Sequence, residues 1–269
     1  MLRLGALYRY PLKSGIAEAR QRAQFDGLGL AGDRRWMLVD EATGRFFTQR
    51  AMPQMSQLSA LWNAAGGLTL KAPGFQALDV AVPEDSQATL RGVTIWRDTL
   101  RMPDAGDEAA RWLSEFMGTP TRMVHVPHER GRWLPSGYGN INDKVGFADG
   151  FPLLLIGQAS LDDLSARVGR PLEMLRFRPN LVVEGSEAFA EDTWKRIRIG
   201  DLEFRLLKGC SRCILTTIDP KTGERSPDRE PMATLKTYRE SEGEVWFGQN
   251  MVSDGPGTLE VGMSVTVLE

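Results

Sequence analysis

Cysteine is nearly absent from this chain of 269 residues, which holds only Cys210 and Cys213. So few thiols exclude a dense disulfide framework and fit a reducing compartment. Histidine is just as scarce, with His125 and His128 alone. No run of 18 apolar residues occurs, which leaves no candidate transmembrane helix. The opening Met1-Leu2-Arg3-Leu4-Gly5 does not read as a secretory signal, because Arg9, Pro11 and Lys13 interrupt any apolar core. A net charge of −2 gives no general attraction to nucleic acid or an anionic membrane. A soluble cytoplasmic protein is expected, with neither nucleic acid nor membrane as a partner.

What is present is ordinary in bulk and unusual in one place. Apolar content of 42% and charged content of 25% suit a globular protein. The length allows one large or two modest domains. The unusual place is Lys208-Gly209-Cys210-Ser211-Arg212-Cys213, followed by Ile214-Leu215-Thr216-Thr217-Ile218 and a turn at Asp219-Pro220. A thiolate is a soft, tightly binding ligand, and a neighbouring guanidinium lowers a thiol's pKa and can hold an anion. Four readings are open: a zinc half-site, a dithiol redox pair, one cysteine on a metal cofactor, or two packed thiols. Zinc would need both histidines, whose spacing is tighter than H-x₃₋₅-H and is broken by Pro127. A dithiol pair should open a helix, yet the β-branched run after Cys213 predicts a strand.

The stretch Cys210 to Pro220 resembles the signature of the MOSC-domain proteins, in particular the mitochondrial amidoxime-reducing components and their bacterial YcbX-type relatives. The similarity extends to Tyr10-Pro11-Leu12-Lys13-Ser14, Gly32-Asp33-Arg34-Arg35-Trp36, Asp149-Gly150-Phe151-Pro152-Leu153-Leu154, Arg176-Phe177-Arg178-Pro179-Asn180 and Phe247-Gly248-Gln249-Asn250. Their order and rough spacing follow the family over nearly the whole chain. The resemblance implies a mainly β, α+β fold: a MOSC β-barrel in residues 121–269, beside a smaller β-rich domain in residues 1–120. It implies a molybdenum cofactor, a molybdenum–pyranopterin whose metal is held by Cys213, which is both metal ligand and catalytic. Lys13, Ser14, Arg34, Arg178, Asn180, Ser211 and Arg212 would bind that cofactor, while Cys210 is expected to be a packed thiol. Pyridoxal phosphate binding is a further family-level expectation. The implied activity is reduction of small N-hydroxylated substrates such as amidoximes, hydroxylamines and N-hydroxy bases to amines. Some bacterial relatives append four cysteines for an iron–sulfur cluster, and no cysteine follows Cys213 here. Electrons are therefore expected from an external ferredoxin-like or cytochrome b5-like protein. A cofactor carrier, or a sulfur-handling module with persulfide on Cys213, is the alternative.

Taken in order, Leu2, Leu4, Ala6, Tyr8 and Tyr10 alternate as one face of a strand that Pro11 ends. Lys13 then falls in a polar loop, where a solvated lysine is the ordinary outcome. Arg34 to Asp40 predicts a strand turning at Glu41-Ala42-Thr43-Gly44 into a hairpin with Arg45 to Thr48. Arg34 on its own merits could simply pair with Asp33. Short apolar runs between Ala60 and Met102 predict a small antiparallel sheet. Asp107 to Gly118 predicts an amphipathic helix with Trp112 and Phe116 on its core face. The long polar stretch between Pro127 and Asp149 could rim a cleft, with Trp133 and Tyr138 able to stack on flat ligands. Ser160 predicts a helix N-cap. If Arg176 to Asn180 is extended, then Arg176, Arg178 and Asn180 share a face, with Glu173 or Glu184 as ordinary partners. Arg196 to Ile199 and Leu202 to Leu206 predict a hairpin, a helix follows from Met232, and strands run to the end.

Overall fold

A computed structural model describes all residues from Met1 to Glu269. Strands make up 38% of the chain, and three short α-helices together with the 3₁₀ turns bring helical content to 18%, so the fold is mainly β as expected. The largest sheet runs Glu18–Arg20, Arg3–Arg9, Leu181–Glu184, Leu153–Gly157, Glu244–Ser253, Leu202–Ser211, Arg196–Ile199, Val265–Val267. One pair in it is parallel, Leu153–Gly157 with Leu181–Glu184, and the helix Gln158–Val168 makes the crossover that parallel pairing requires. The first strand of the chain therefore lies inside the sheet built from its second half. Leu4, Leu7, Leu155, Val183, Phe204 and Met251 fill the core beneath this sheet. A second core, around Leu12, Trp36, Leu38, Leu68 and Leu113, belongs to the first half.

Several local expectations are corrected, each for an identifiable reason. The alternation from Leu2 to Tyr10 slips at Gly5, where the register against Leu181–Glu184 shifts. Leu4 and Leu7 consequently share one core, while Ala6 and Tyr8 face another. A Cβ at position 5 would stand 2.6 Å from Glu184, so glycine allows that close passage. Trp36–Asp40 forms a strand, but its ladder partner is Thr121–His125; Val39 and Phe46 make only an isolated bridge. Arg34 precedes that strand with φ at 43°. The apolar runs between Ala60 and Met102 fall into two sheets, Ser59–Trp62 with Leu68–Lys71 and Leu78–Val80, and Leu90–Ile95 with Asp98–Pro103.

Ser160 is no cap, since its helix starts at Gln158 after Gly157. Its buried Oγ lies 2.7 and 2.9 Å from the Glu191 carboxylate oxygens and accepts from the Phe189 amide at 2.7 Å. The hydroxyl thus joins a buried network and is not spent on the helix end. Ile214–Thr217 is a 3₁₀ turn, not a strand. The hydroxyls of Thr216 and Thr217 donate to the carbonyls of Cys213 and Ile214 at 3.1 and 2.7 Å, a local pairing that outcompetes β-propensity.

His125 packs on Trp36 with ring centroids 4.7 Å apart, and no three histidine, cysteine or carboxylate side chains converge as a metal site. The zinc reading is thereby removed. Burial, reinforced by the nearby Arg35 charge, pushes the His125 imidazole down to about 4 from an ordinary 6.5. The unfolded chain takes up a proton near pH 6.5 that the folded chain refuses until about pH 4. Stability from this group is complete above the higher value and declines as pH falls toward the lower. The thermal midpoint should fall across that window, and His125→Phe should flatten the slope.

Candidate active site cleft

All eight residues singled out for the cofactor line one cleft: Lys13, Ser14, Arg34, Arg178, Asn180, Ser211, Arg212 and Cys213. The thiol is positioned by the end of the Leu202–Ser211 strand. Pairing with Glu244–Ser253 stops at Ser211 opposite Trp246, and the Arg212 amide donates to Val245 at 2.7 Å. Cys213 then turns out of the sheet as the residue before the 3₁₀ turn, and its side chain is exposed. Cys210 lies half-buried in the wall of the same cleft. Burial raises its thiol pKa, against the opposing pull of Arg212.

Arg212 is anchored by its backbone neighbours. Its Nε donates to the Phe247 carbonyl at 2.7 Å and Nη1 to the Phe177 carbonyl at 2.9 Å, while Nη2 is buried without a partner. Gly248 makes this seat possible. At φ 78° a Cβ there would lie 2.6 Å from Ile156 Cγ1, 2.8 Å from the Leu155 carbonyl and 3.3 Å from Arg212 Nη2. Gly248→Ala should therefore cost about 2–4 kcal/mol in chemical denaturation, combining left-handed strain with overpacking.

Arg178 and Arg34 both lie over the Tyr10 ring, each 4.2 Å from its centroid. Arg34 Nη1 donates to Asp33 at 2.6 Å and to Asn180 Oδ1 at 3.0 Å, and its Nη2 donates to the Arg178 carbonyl at 3.1 Å. Arg178 Nη1 donates to the Gly15 carbonyl at 2.8 Å, but Nη2 is buried with no partner. Burial first, and then the Arg34 charge, lowers the Arg178 guanidinium to about 10. Arg176 pairs with Asp219, not with Glu173 or Glu184, and its Nη1 is also orphaned. The shared extended face of Arg176, Arg178 and Asn180 does not exist. Met174–Arg176 is a 3₁₀ turn and Arg178 sits at φ 54°.

Asn180 is almost completely buried and heavily used. Its Oδ1 accepts from Arg34 and from the Leu154 amide at 3.2 Å, and its Nδ2 donates to the Tyr8 carbonyl at 3.1 Å. It therefore holds Arg34 in place. Lys13 is no solvated loop cation. It is buried, and its Nζ donates to the Phe147 carbonyl at 2.9 Å and Asp149 Oδ1 at 2.5 Å.

Asp149 was not singled out in the sequence, although its motif was. Its side chain is 74% exposed at the cleft mouth and is the one acid in a lining that also holds Lys13, Arg34, Arg176, Arg178 and Arg212. Lys13, by charge and hydrogen bond, with the Trp96 N–H and the Arg34 charge, holds the carboxyl at about 2. It is ionised at any ordinary pH.

Two observations mark the cleft as a receptor for an anionic group. Of nine buried side-chain polar atoms without a partner, three are guanidinium nitrogens of Arg176, Arg178 and Arg212. Such donors are costly to leave unmade unless a ligand completes them. Of seven non-glycine residues at positive φ, three line the cleft: Ser14, Arg34 and Arg178. Strain of this kind gathers where geometry serves binding. Next to the orphaned donors stands one open thiol. These residues fit a molybdenum–pyranopterin, whose phosphate and pterin oxygens accept hydrogen bonds and whose metal takes a soft thiolate.

A β-rich fold with an exposed thiol above a cationic cleft defines a class, and sequence comparison agrees with it. Residues 1–120 match the MOSC N-terminal beta barrel domain and residues 142–266 match the MOSC domain. The chain belongs to the MOSC-domain family, and the resemblance carried by its motifs is borne out. Among individual proteins it is similar to mitochondrial amidoxime-reducing component 1 of Homo sapiens, 33% identical over 97% of this chain and 82% of that protein. The component 1 protein of Danio rerio is 35% identical over 86% of this chain and 72% of its own length. Component 2 of Rattus norvegicus is 36% identical over 86% and 70%. The similarity supports a related oxidoreductase role.

Proposed function

We propose that this protein is a molybdenum-cofactor-dependent oxidoreductase that reduces small N-hydroxylated compounds to amines. The supporting observation is the exposed Cys213 thiol beside three orphaned guanidinium nitrogens in a cleft with one acid. The net change converts R–NH–OH, two electrons and two protons into R–NH₂ and water. When bound, the cofactor would supply the two-electron redox change and accept the oxygen. Cys213 would be its protein ligand. Arg178 and Arg212 would complete their unmet hydrogen bonds on its oxygens, and Lys13, Ser14 and Ser211 would hold its anionic edge. Arg34 would add charge, with Asn180 orienting it. Lys13 and Trp96 both donate to Asp149 Oδ1, at 2.5 and 3.2 Å, leaving Oδ2 available to orient a substrate N–H or O–H. Electrons would come from a separate ferredoxin-like or cytochrome b5-like protein. We place the division between the two domains near Pro120, so that Lys13, Ser14 and Arg34 come from one and the thiol from the other.

The test is metal analysis of protein made in a host that synthesises the cofactor, followed by benzamidoxime reduction with an artificial donor. Stoichiometric molybdenum with turnover is the expected result, and neither appearing would overturn the proposal. The exposed thiol also suits a carrier or persulfide module. Metal-free protein with sulfane sulfur on Cys213 would favour that reading.

A further inference from the structure

A second cavity opens beside the thiol cleft and shares Asp149 and Gly150 with it. It measures about 610 Å³ and lies between the Ile95–Asp98 turn and the segment Arg132 to Ser136. Of the seven tryptophans in the chain only Trp96 and Trp133 are exposed, at 46% and 61%, and both line this cavity. Large exposed indoles are uncommon on a surface without a use for them.

Trp96 is also held in an unfavourable place. It is the first residue of the two-residue turn joining Leu90–Ile95 to Asp98–Pro103, and its φ is 54°. That turn position favours glycine, because a side chain there is strained. The indole is fixed nonetheless. Phe46 packs edge-on at 5.0 Å, the Arg50 guanidinium lies 5.4 Å from the ring, and Nε1 donates to Asp149 at 3.2 Å. On the other wall Trp133 has Lys144 at 4.9 Å from its ring. Arg132 ties the two walls together, its Nη1 donating to Asp98 at 2.9 Å and its Nε to the Gly146 carbonyl at 3.1 Å. A rigid frame thus presents two indoles to one cavity that shares the Asp149 carboxylate with the thiol cleft.

We infer that Trp96 and Trp133 bind the flat aromatic part of a substrate whose N-hydroxyl group reaches past Asp149 into the cleft. The inference rests on the reductase reading and narrows it to planar aryl or heteroaryl N-hydroxy compounds over small aliphatic ones. Stacking on an indole tolerates many ring types, since every such ring has a π-face. These are specificity residues; the bond that breaks lies beyond them.

The test compares benzamidoxime with acetamidoxime, using an artificial donor. Trp133→Ala alters an exposed side chain, and Trp96→Gly suits its turn, so both variants should fold. Each should lower the benzamidoxime-to-acetamidoxime ratio of kcat/KM about tenfold, chiefly through KM for the aromatic substrate. Trp96→Phe, which keeps a ring but loses the N–H donor, should restore most of the ratio if stacking is what matters. An unchanged ratio in both variants overturns the inference. So does a defect seen only with a protein electron donor, which would make this face the donor's docking surface. Benzamidoxime binding followed by tryptophan fluorescence on metal-free protein separates the two readings. Binding that needs both indoles in a protein without reductase activity would retain the aromatic site and sink the proposed reaction.

Discussion

Cys213→Ser should yield a folded protein that carries no molybdenum and turns over no amidoxime. Cys213 is exposed at the end of a strand, so exchanging sulfur for oxygen removes no core packing. Surface changes of this kind usually alter stability by no more than about 0.5 kcal/mol. The chemical change is far larger. A thiolate is a soft ligand, whereas a serine hydroxyl stays protonated and is a poor donor to a thiophilic metal. Melting temperature should thus hardly move while metal content falls to background. Cys210→Ser supplies the control, since that thiol is half-buried and burial opposes its ionisation. It should keep its metal. A Cys213→Ser protein that retained both metal and turnover would remove the ligand assignment.

The second large effect has opposite signs in the empty and the loaded protein. Arg178 is a half-buried cation beside a second cation, with one buried nitrogen unmatched, so the cofactor-free fold bears it at a cost. Arg178→Met keeps the length and removes the charge, losing one bond to the Gly15 carbonyl. The empty variant should melt no lower than the empty parent. Cofactor retention should drop on the order of tenfold to hundredfold, the equivalent of one charge-assisted hydrogen bond at about 1.5–3 kcal/mol. The melting temperature should be highest for the loaded parent, because a ligand that binds only the folded state stabilises it, and the empty parent should lie no higher than the empty variant. A variant that kept its molybdenum would show that the orphaned nitrogen serves something else.

The parts of the site legible in the sequence are those whose chemistry is local. A thiol next to arginine announces itself by residue type, while Lys13, Ser14 and Gly248 are marked only by motifs that resemble the family's. What was not legible depends on partners distant in the chain. Asp149 looks like any surface acid until Lys13 is brought beneath it. Asn180 reads as a ligand contact, yet its amide is consumed by Arg34, Leu154 and Tyr8. Trp36–Asp40 carries every mark of a hairpin arm, and no local signal says that Thr121–His125 supplies its ladder. The run after Cys213 has the composition of a strand, and two threonine hydroxyls decide otherwise. The slip at Gly5 inverts which residues face inward, as a single bulge does to any period-two pattern.

The place of the Arg3–Arg9 strand has a consequence for how the molecule is made. On the ribosome those residues are made together with one neighbour, Glu18–Arg20, but the strand on their other side, Leu181–Glu184, is translated much later. Lys13 likewise leaves the exit tunnel long before Cys213 exists. The anion receptor is therefore a post-translational object, assembled when the two ends of the chain meet. Because contacts so distant in sequence form slowly, the edge of Arg3–Arg9 that faces Leu181–Glu184 must wait unpaired in the meantime.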